Sequence, residues 1–174
     1  MIEFSIDKTL EVLEQTPETL SFFLKNLSNE WIISNEGENT WSPYDIIGHL
    51  IHGEKTDWVP RLKKILNEEN KNFEPFDRFA QFENSKGKKL RVLLTEFKIL
   101  RVNNLNYLKS LNLSDSDLQL TGIHPEFGEV TVKQLLATWA THDLGHITQI
   151  ARVLTKQYKN EVGPWTSYIS ILNT

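Results

Sequence analysis

The 174 residues carry a net charge of −4, with 39% hydrophobic and 24% charged residues, the balance of a globular chain long enough for a full core. Lysines and arginines are scattered among acids, so the concentrated cationic stripe that a nucleic-acid partner requires is missing and no such partner is expected. There is no cysteine, which excludes disulfides and thiolate ligands from the chain and leaves His, Asp, Glu and water to build any metal site.

The start, Met1-Ile2-Glu3-Phe4-Ser5, lacks the basic residues and apolar run of a signal peptide. No uncharged stretch is long enough to span a bilayer, so a cytoplasmic chain without a membrane partner is expected. A short helix is predicted over residues 6–14. Thr16 then reads as a cap, with Pro17 in the first turn of a helix carrying Leu20, Phe22, Phe23, Leu24 and Leu27. Ser42 and Pro43 repeat that device, with Asp45 favouring the helix dipole. Helical spacing runs on through Ile47, Leu50, Ile51, Trp58, Leu62 and Ile65, with Pro60 as a kink or break. A further long helix is predicted over residues 86–111, through Leu90, Leu94, Phe97, Leu105 and Leu108. Thr131 and Gln134 form a capping box for the last long helix, which carries Leu135, Trp139, Ile150 and Val153. Loops rich in Asn, Asp, Ser, Gly and Pro fill 34–40, 67–76 and 113–130, with a turn or short hairpin over 121–130 and a short closing helix near 165–172. Four long amphipathic helices with a long central connection predict an all-α, four-helix bundle in a single domain, 1–174. Trp31, Trp41, Trp58 and Trp139 read as core.

The strongest chemical signal is Thr141-His142-Asp143-Leu144-Gly145-His146. Side chains four apart lie on one helix face about 6 Å apart, and two imidazoles so placed can hold one ion at about 2.1 Å each. His142 and His146 fall beside Leu135, Trp139 and Val153 and so face the bundle interior, where an unsatisfied ring is costly. Metal coordination is one solution; a hydrogen bond from each ring to a carboxylate or carbonyl is the other. Glu54 falls in the middle of an apolar stripe, as a ligand, a ligand's partner, a general base or a hydrogen-bond acceptor for a neighbouring helix. His49 lies past the edge of that stripe and His52 on its polar side, so periodicity alone makes both surface residues. Asp143 could orient an imidazole or pair with another helix. His124 sits on a loop, over the site or, more simply, in solvent.

Four stretches together resemble a known family. They are Trp41-Ser42-Pro43-Tyr44-Asp45-Ile46-Ile47-Gly48-His49-Leu50 followed by Glu54; His124-Pro125 through Gly128 and Val130-Thr131; Thr141-His142-Asp143 with His146 and Gln149-Ile150; and Gly163-Pro164-Trp165 with Tyr168. In this order, covering most of residues 41–168, they are similar to the DinB-like, damage-inducible superfamily, which includes metal-dependent hydrolase-like and thiol-transferase-like members. The resemblance implies an up-down-down-up bundle whose middle helices are joined by a long crossover, with a metal site at one end. It implies His49, His142 and His146 as ligands, with the remaining positions open to water or substrate; for His49 the likeness, not the helical wheel, supplies the assignment. Three neutral imidazoles with open positions suit zinc or nickel better than magnesium or calcium, which take oxygen ligands. The expected activity is that of a metal-dependent hydrolase or of an S-transferase using a low-molecular-weight thiol, on a small-molecule substrate, with Glu54 and Asp143 as the catalytic candidates. The alternatives are a metal-binding stress protein without turnover, or a dimerising helical interaction module using Trp165 and Tyr168. The likeness also points to a homodimer.

Overall fold

The computed structural model describes residues 1–173. Its elements, in chain order, are α1 (Ile6–Leu24), α2 (Asn29–Ile33), α3 (Pro43–Thr56), α4 (Trp58–Asn67), α5 (Ala80–Ser85), α6 (Leu90–Ser110), β1 (Thr121–His124), β2 (Gly128–Thr131) and α7 (Val132–Gln157), followed by short 3-10 turns. Ser42 caps α3 with the reciprocal Ser42–Asp45 box, and Thr131 caps α7 with the Thr131–Gln134 box. Each pair satisfies amide donors that the first helical turn leaves unbonded.

The long helices α1, α3, α6 and α7 form a four-helix bundle, and the ends of its core give their directions. One apolar cluster joins Leu13 of α1, Trp58 and Leu62 of α4, Leu105 and Leu108 of α6, and Leu135 and Trp139 of α7. The other joins Leu20 and Leu24, Ile46 and Leu50, Leu93 and Phe97, and Ile150 and Val153. Thus α1 and α7 run from the first cluster to the second, while α3 and α6 run the opposite way. The order is up-down-down-up. Because α3 and α6 point the same way, the chain between them must travel the length of the bundle. That crossover holds α4, α5 and the residues between them. It is pinned where Lys71 O accepts from Ile123 N and Phe73 N donates to Ile123 O, at 2.9 and 2.8 Å, alongside the β1–β2 hairpin.

Three local expectations change. Pro17 does not start a helix; it lies inside α1, which runs unbroken, and Thr16 bonds back to Val12 O instead of capping. Proline removes the amide that would bond the carbonyl four residues earlier. Here that carbonyl, Leu13 O, accepts from Arg101 Nη1 at 2.9 Å instead, so the missing bond is replaced from α6. Phe22 and Phe23 are exposed, whereas Leu20 and Leu24 hold the core positions. The break before α4 falls at Asp57 (φ −110°, ψ −74°), and Pro60 sits in the first turn of α4, where its lack of an N–H costs nothing.

Between the two apolar clusters lies a buried polar node to which all four long helices contribute. Arg101 of α6 donates to Glu54 Oε1 of α3 from Nε (3.0 Å) and Nη2 (2.8 Å), and to Asp143 of α7 from Nη1 (2.6 Å) and Nη2 (3.1 Å). With Leu13 O of α1, the guanidinium meets an acceptor from every other long helix. Trp139 Nε1 and Asn104 Nδ2 complete the shell of Glu54, at 3.1 and 2.9 Å.

Candidate metal centre

His142 and His146 stand one turn apart on α7, and His49 faces them from the antiparallel α3. The Nε2 atom of His142 lies 3.1 Å from His49 Nε2 and 3.0 Å from His146 Nε2. One ligand atom from each of the three can be chosen so that all lie within 4.8 Å of one another. The site is midway along both helices, not at an end of the bundle as the resemblance implies. His49 is buried despite its place on the wheel, because the crossover covers that flank of α3. Gln81 of α5 bonds its ring, Phe76 packs edge-on to it at 5.4 Å, and Trp41 lies against it at 4.8 Å. Gly48 permits this cover: a Cβ there would collide with Ser85 Oγ.

Hydrogen bonds on the far side of two rings set their tautomers. His49 Nδ1 donates to Gln81 Oε1 at 2.9 Å, and His146 Nδ1 donates to Gln149 Oε1 at 2.8 Å. With the proton on Nδ1, each Nε2 carries a free lone pair, and both are aimed at the Nε2 of His142. Three ring nitrogens converging at such spacing repel one another unless a proton or cation lies between them. An ion with ligand distances of about 2.1 Å fits nitrogens about 3 Å apart. The donor set therefore fits a divalent metal. Among the described residues no carboxylate joins the group, so its donors are all nitrogen, a poor match to ions that take oxygen ligands.

Electrostatics keep the rings in the neutral form a metal needs. Burial, followed by the charge of His146, pushes His49 down to about 4. Burial, followed by His146 and His49, pushes His142 down to about 2. Burial lowers His146 too, against the bond to Gln149. Trp58 packs edge-on to His142 at 5.1 Å and Trp41 stacks beside His146 at 6.3 Å, so two of the four expected core tryptophans wall the site.

Glu54 and Asp143 are not brought to the histidines. Both carboxylates are bonded to Arg101, and neither makes a hydrogen bond to an imidazole. The physical reason is that a buried guanidinium requires compensating acceptors more urgently than a neutral ring does. His52 is buried against Phe76 (4.9 Å) and stands outside the triad. His124 and Asp57 line a cavity of about 300 Å3 that opens beside His49 and His142. A larger groove of about 670 Å3 between α1 and α6 holds no histidine and is lined chiefly by aliphatic and basic side chains such as Leu94, Ile99 and Lys98. Gln81 and Arg101 gave no sequence signal. Gln149 did: three residues after His146, it shares that helix face.

The two glutamines yield a direct test. Gln81→Ala or Gln149→Ala frees a ring to rotate and to change tautomer, and each is expected to weaken zinc binding roughly 10- to 100-fold in a chelator competition titration. Unchanged affinity in both variants would show that the ring orientations are held by packing alone.

Comparison with known proteins accords with this geometry. A relative from Bacillus cereus (strain 03BB102), named "Putative metal-dependent hydrolase", is 26% identical over 150 residues, covering 85% of this chain and 84% of its own. A relative from Bacillus mycoides (strain KBAB4) with the same description is 25% identical over 147 residues, covering 83% of each chain. Among solved structures, YfiT from Bacillus subtilis, described as "a probable metal-dependent hydrolase with an unusual four-helix bundle topology", superposes with a TM-score of 0.76. That match has 22% identity over 90% of this chain and 91% of that one. TT2238, a four-helix bundle protein, gives a TM-score of 0.53 at 18% identity over 84% of this chain and 98% of its own. The profile of the DinB superfamily matches residues 12–150, a span that holds α3 and α6 whole, the greater part of α1 and α7, and the three converging histidines, and the chain belongs to that superfamily.

Proposed function

We propose that the protein is a metal-dependent hydrolase that holds one zinc or nickel ion on Nε2 of His49, His142 and His146. The observation that carries this reading is the convergence of three neutral imidazoles, two of them fixed as Nδ1–H tautomers, beside a cavity and with no fourth protein ligand among the described residues. Three protein ligands with an open position are the pattern of catalytic sites, whereas structural sites close with four. The names of the relatives support the same activity. Bound there, such an ion supplies Lewis-acid polarisation of a scissile carbonyl or phosphoryl group and acidifies water. The chain's own residues fix the ring tautomers through Gln81 and Gln149 and exclude bulk water with Trp41, Trp58 and Phe76. They also confine a small-molecule substrate to the adjoining cavity. Among the described residues no helix is long and apolar enough to cross a membrane.

Elemental analysis and metal titration of untagged protein test the reading. About one equivalent of zinc or nickel is expected in the parent, with loss of tight binding in His49→Ala and in His142→Ala while the helical circular dichroism is retained. Ester and amide substrates screened against the loaded parent and both variants then separate turnover from storage. Metal uptake that both substitutions leave unchanged would overturn the site; uptake without hydrolysis would overturn the activity.

A further inference from the structure

The cavity beside the histidines has a wall that the metal reading does not use. Arg61 projects into it from the first turns of α4. Its side chain is largely buried, with Nε 2.5 Å from Asp57 Oδ1 and the guanidinium 5.1 Å from the centroid of the Phe73 ring. Asp57 and Phe73 thereby hold the planar fork in place. Among the described residues, Nη1 and Nη2 make no hydrogen bond. These idle donors face the open cavity rather than the packed interior, so an anion entering it can accept from them without displacing a protein partner.

His124 lines the same cavity at the hairpin turn. Its Nδ1 accepts from the amides of Glu126 (3.1 Å) and Phe127 (3.3 Å), so Nδ1 carries no proton. In the neutral ring the proton is therefore on Nε2, which makes no bond within the described residues. Phe127 stacks on the ring at 4.5 Å and 16°, fixing its plane. The charge of Arg61 reaches His124, which places the two donors in one neighbourhood. The nearby carboxylate of Asp57 is engaged with Arg61. Glu126 and Arg78, also at the cavity, are exposed.

We propose that this cavity contains an anion subsite, in which the Nη groups of Arg61 and the Nε2–H of His124 bind a carboxylate or phosphate group of a small molecule. A guanidinium fork matches the two oxygens of such a group, and a fixed imidazole N–H supplies a third donor. That the molecule is a substrate rests on the metal-centre reading; the anion binding itself does not. A cavity of about 300 Å3 admits a molecule of roughly ten to fifteen heavy atoms.

The test titrates phenylacetate, phenyl phosphate and neutral phenylacetamide into the full chain by calorimetry, with and without zinc. At least one of the two anions is expected to bind the metal-free parent about tenfold or more tighter than the amide does. Arg61→Lys keeps the charge beside Asp57 but loses the fork. His124→Asn keeps an acceptor for the turn amides but loses the distal donor. Each is expected to weaken anion binding about tenfold, with circular dichroism and zinc stoichiometry unchanged. Equal affinity for anions and amide, or anion binding that neither variant alters, would overturn the proposal. So would anion binding that needs zinc and disappears in His49→Ala, which would put the anion on the ion itself. Anion binding by a parent chain that takes up no zinc would support this subsite while removing the metal reading.

Discussion

Arg101→Met is expected to lower the stability of the protein by about 3–5 kcal/mol, or to prevent folding, as read by urea denaturation. The substitution leaves two carboxylates, Glu54 and Asp143, buried without their shared cation. It also removes the donor to Leu13 O, a carbonyl that Pro17 cannot serve. Burial already works to raise the Glu54 carboxyl, with Arg101 opposing it, so without the guanidinium this group would be protonated or drive local unfolding. Arg101→Lys is expected to fail as well, because one ammonium cannot reach acceptors on three helices. A loss below about 1 kcal/mol in Arg101→Met would show that the node contributes little. Replacing all three charged residues with apolar ones is expected to recover much of the loss, since the dominant penalty is the uncompensated charge.

The second large effect is acid sensitivity. An unfolded imidazole titrates near about 6.5, whereas the folded values are about 4 for His49 and about 2 for His142. Between those limits the unfolded chain binds protons that the folded chain refuses, so stability is full above about 6.5 and falls as the pH falls. Burial acts the other way on Asp57, raising its carboxyl to about 6, and on Glu54, and these groups offset part of the loss. The net expectation for metal-free protein is a loss of about 2–4 kcal/mol between pH 7 and pH 4.5. His142→Gln should flatten that slope, and zinc should stabilise the folded chain at pH 7 and still at pH 4.5, because the buried rings stay largely neutral there and remain able to ligate. A flat profile in the metal-free protein would show that the rings are protonated in the folded state.

The sequence made the fold legible wherever a local chemical device marked it. The Ser42–Asp45 and Thr131–Gln134 boxes start α3 and α7 where expected, and the i,i+4 spacing of His142 and His146 places both rings on the inward face. Features that depend on distant partners were not legible. Pro17 reads as a helix start because nothing local reveals that Arg101, 88 residues away, will bond Leu13 O. His49 reads as a surface residue because a wheel assigns faces to one helix and cannot know that α5 will lie across its polar side. Glu54 and Asp143 read as catalytic because a buried carboxylate announces only that it needs a partner. Which partner it finds is decided by the register of α6 against α3 and α7.

The helix order also governs when the core can close. In an up-down-up-down bundle each helix pairs with the one just made, so sequence-local hairpins can form early. Here α1 packs against α6 and α7, with Glu14 and Glu18 pairing to Lys109 and Lys98. During synthesis the apolar face of α1 therefore stays uncovered until α6, and then α7, have emerged, well into the second half of the chain. The assembly step is a non-local docking, slower than hairpin collapse for a bundle of this size. Circular permutation joining the ends and reopening the chain in the 68–79 crossover would place α1 after α7, converting that docking into a local one.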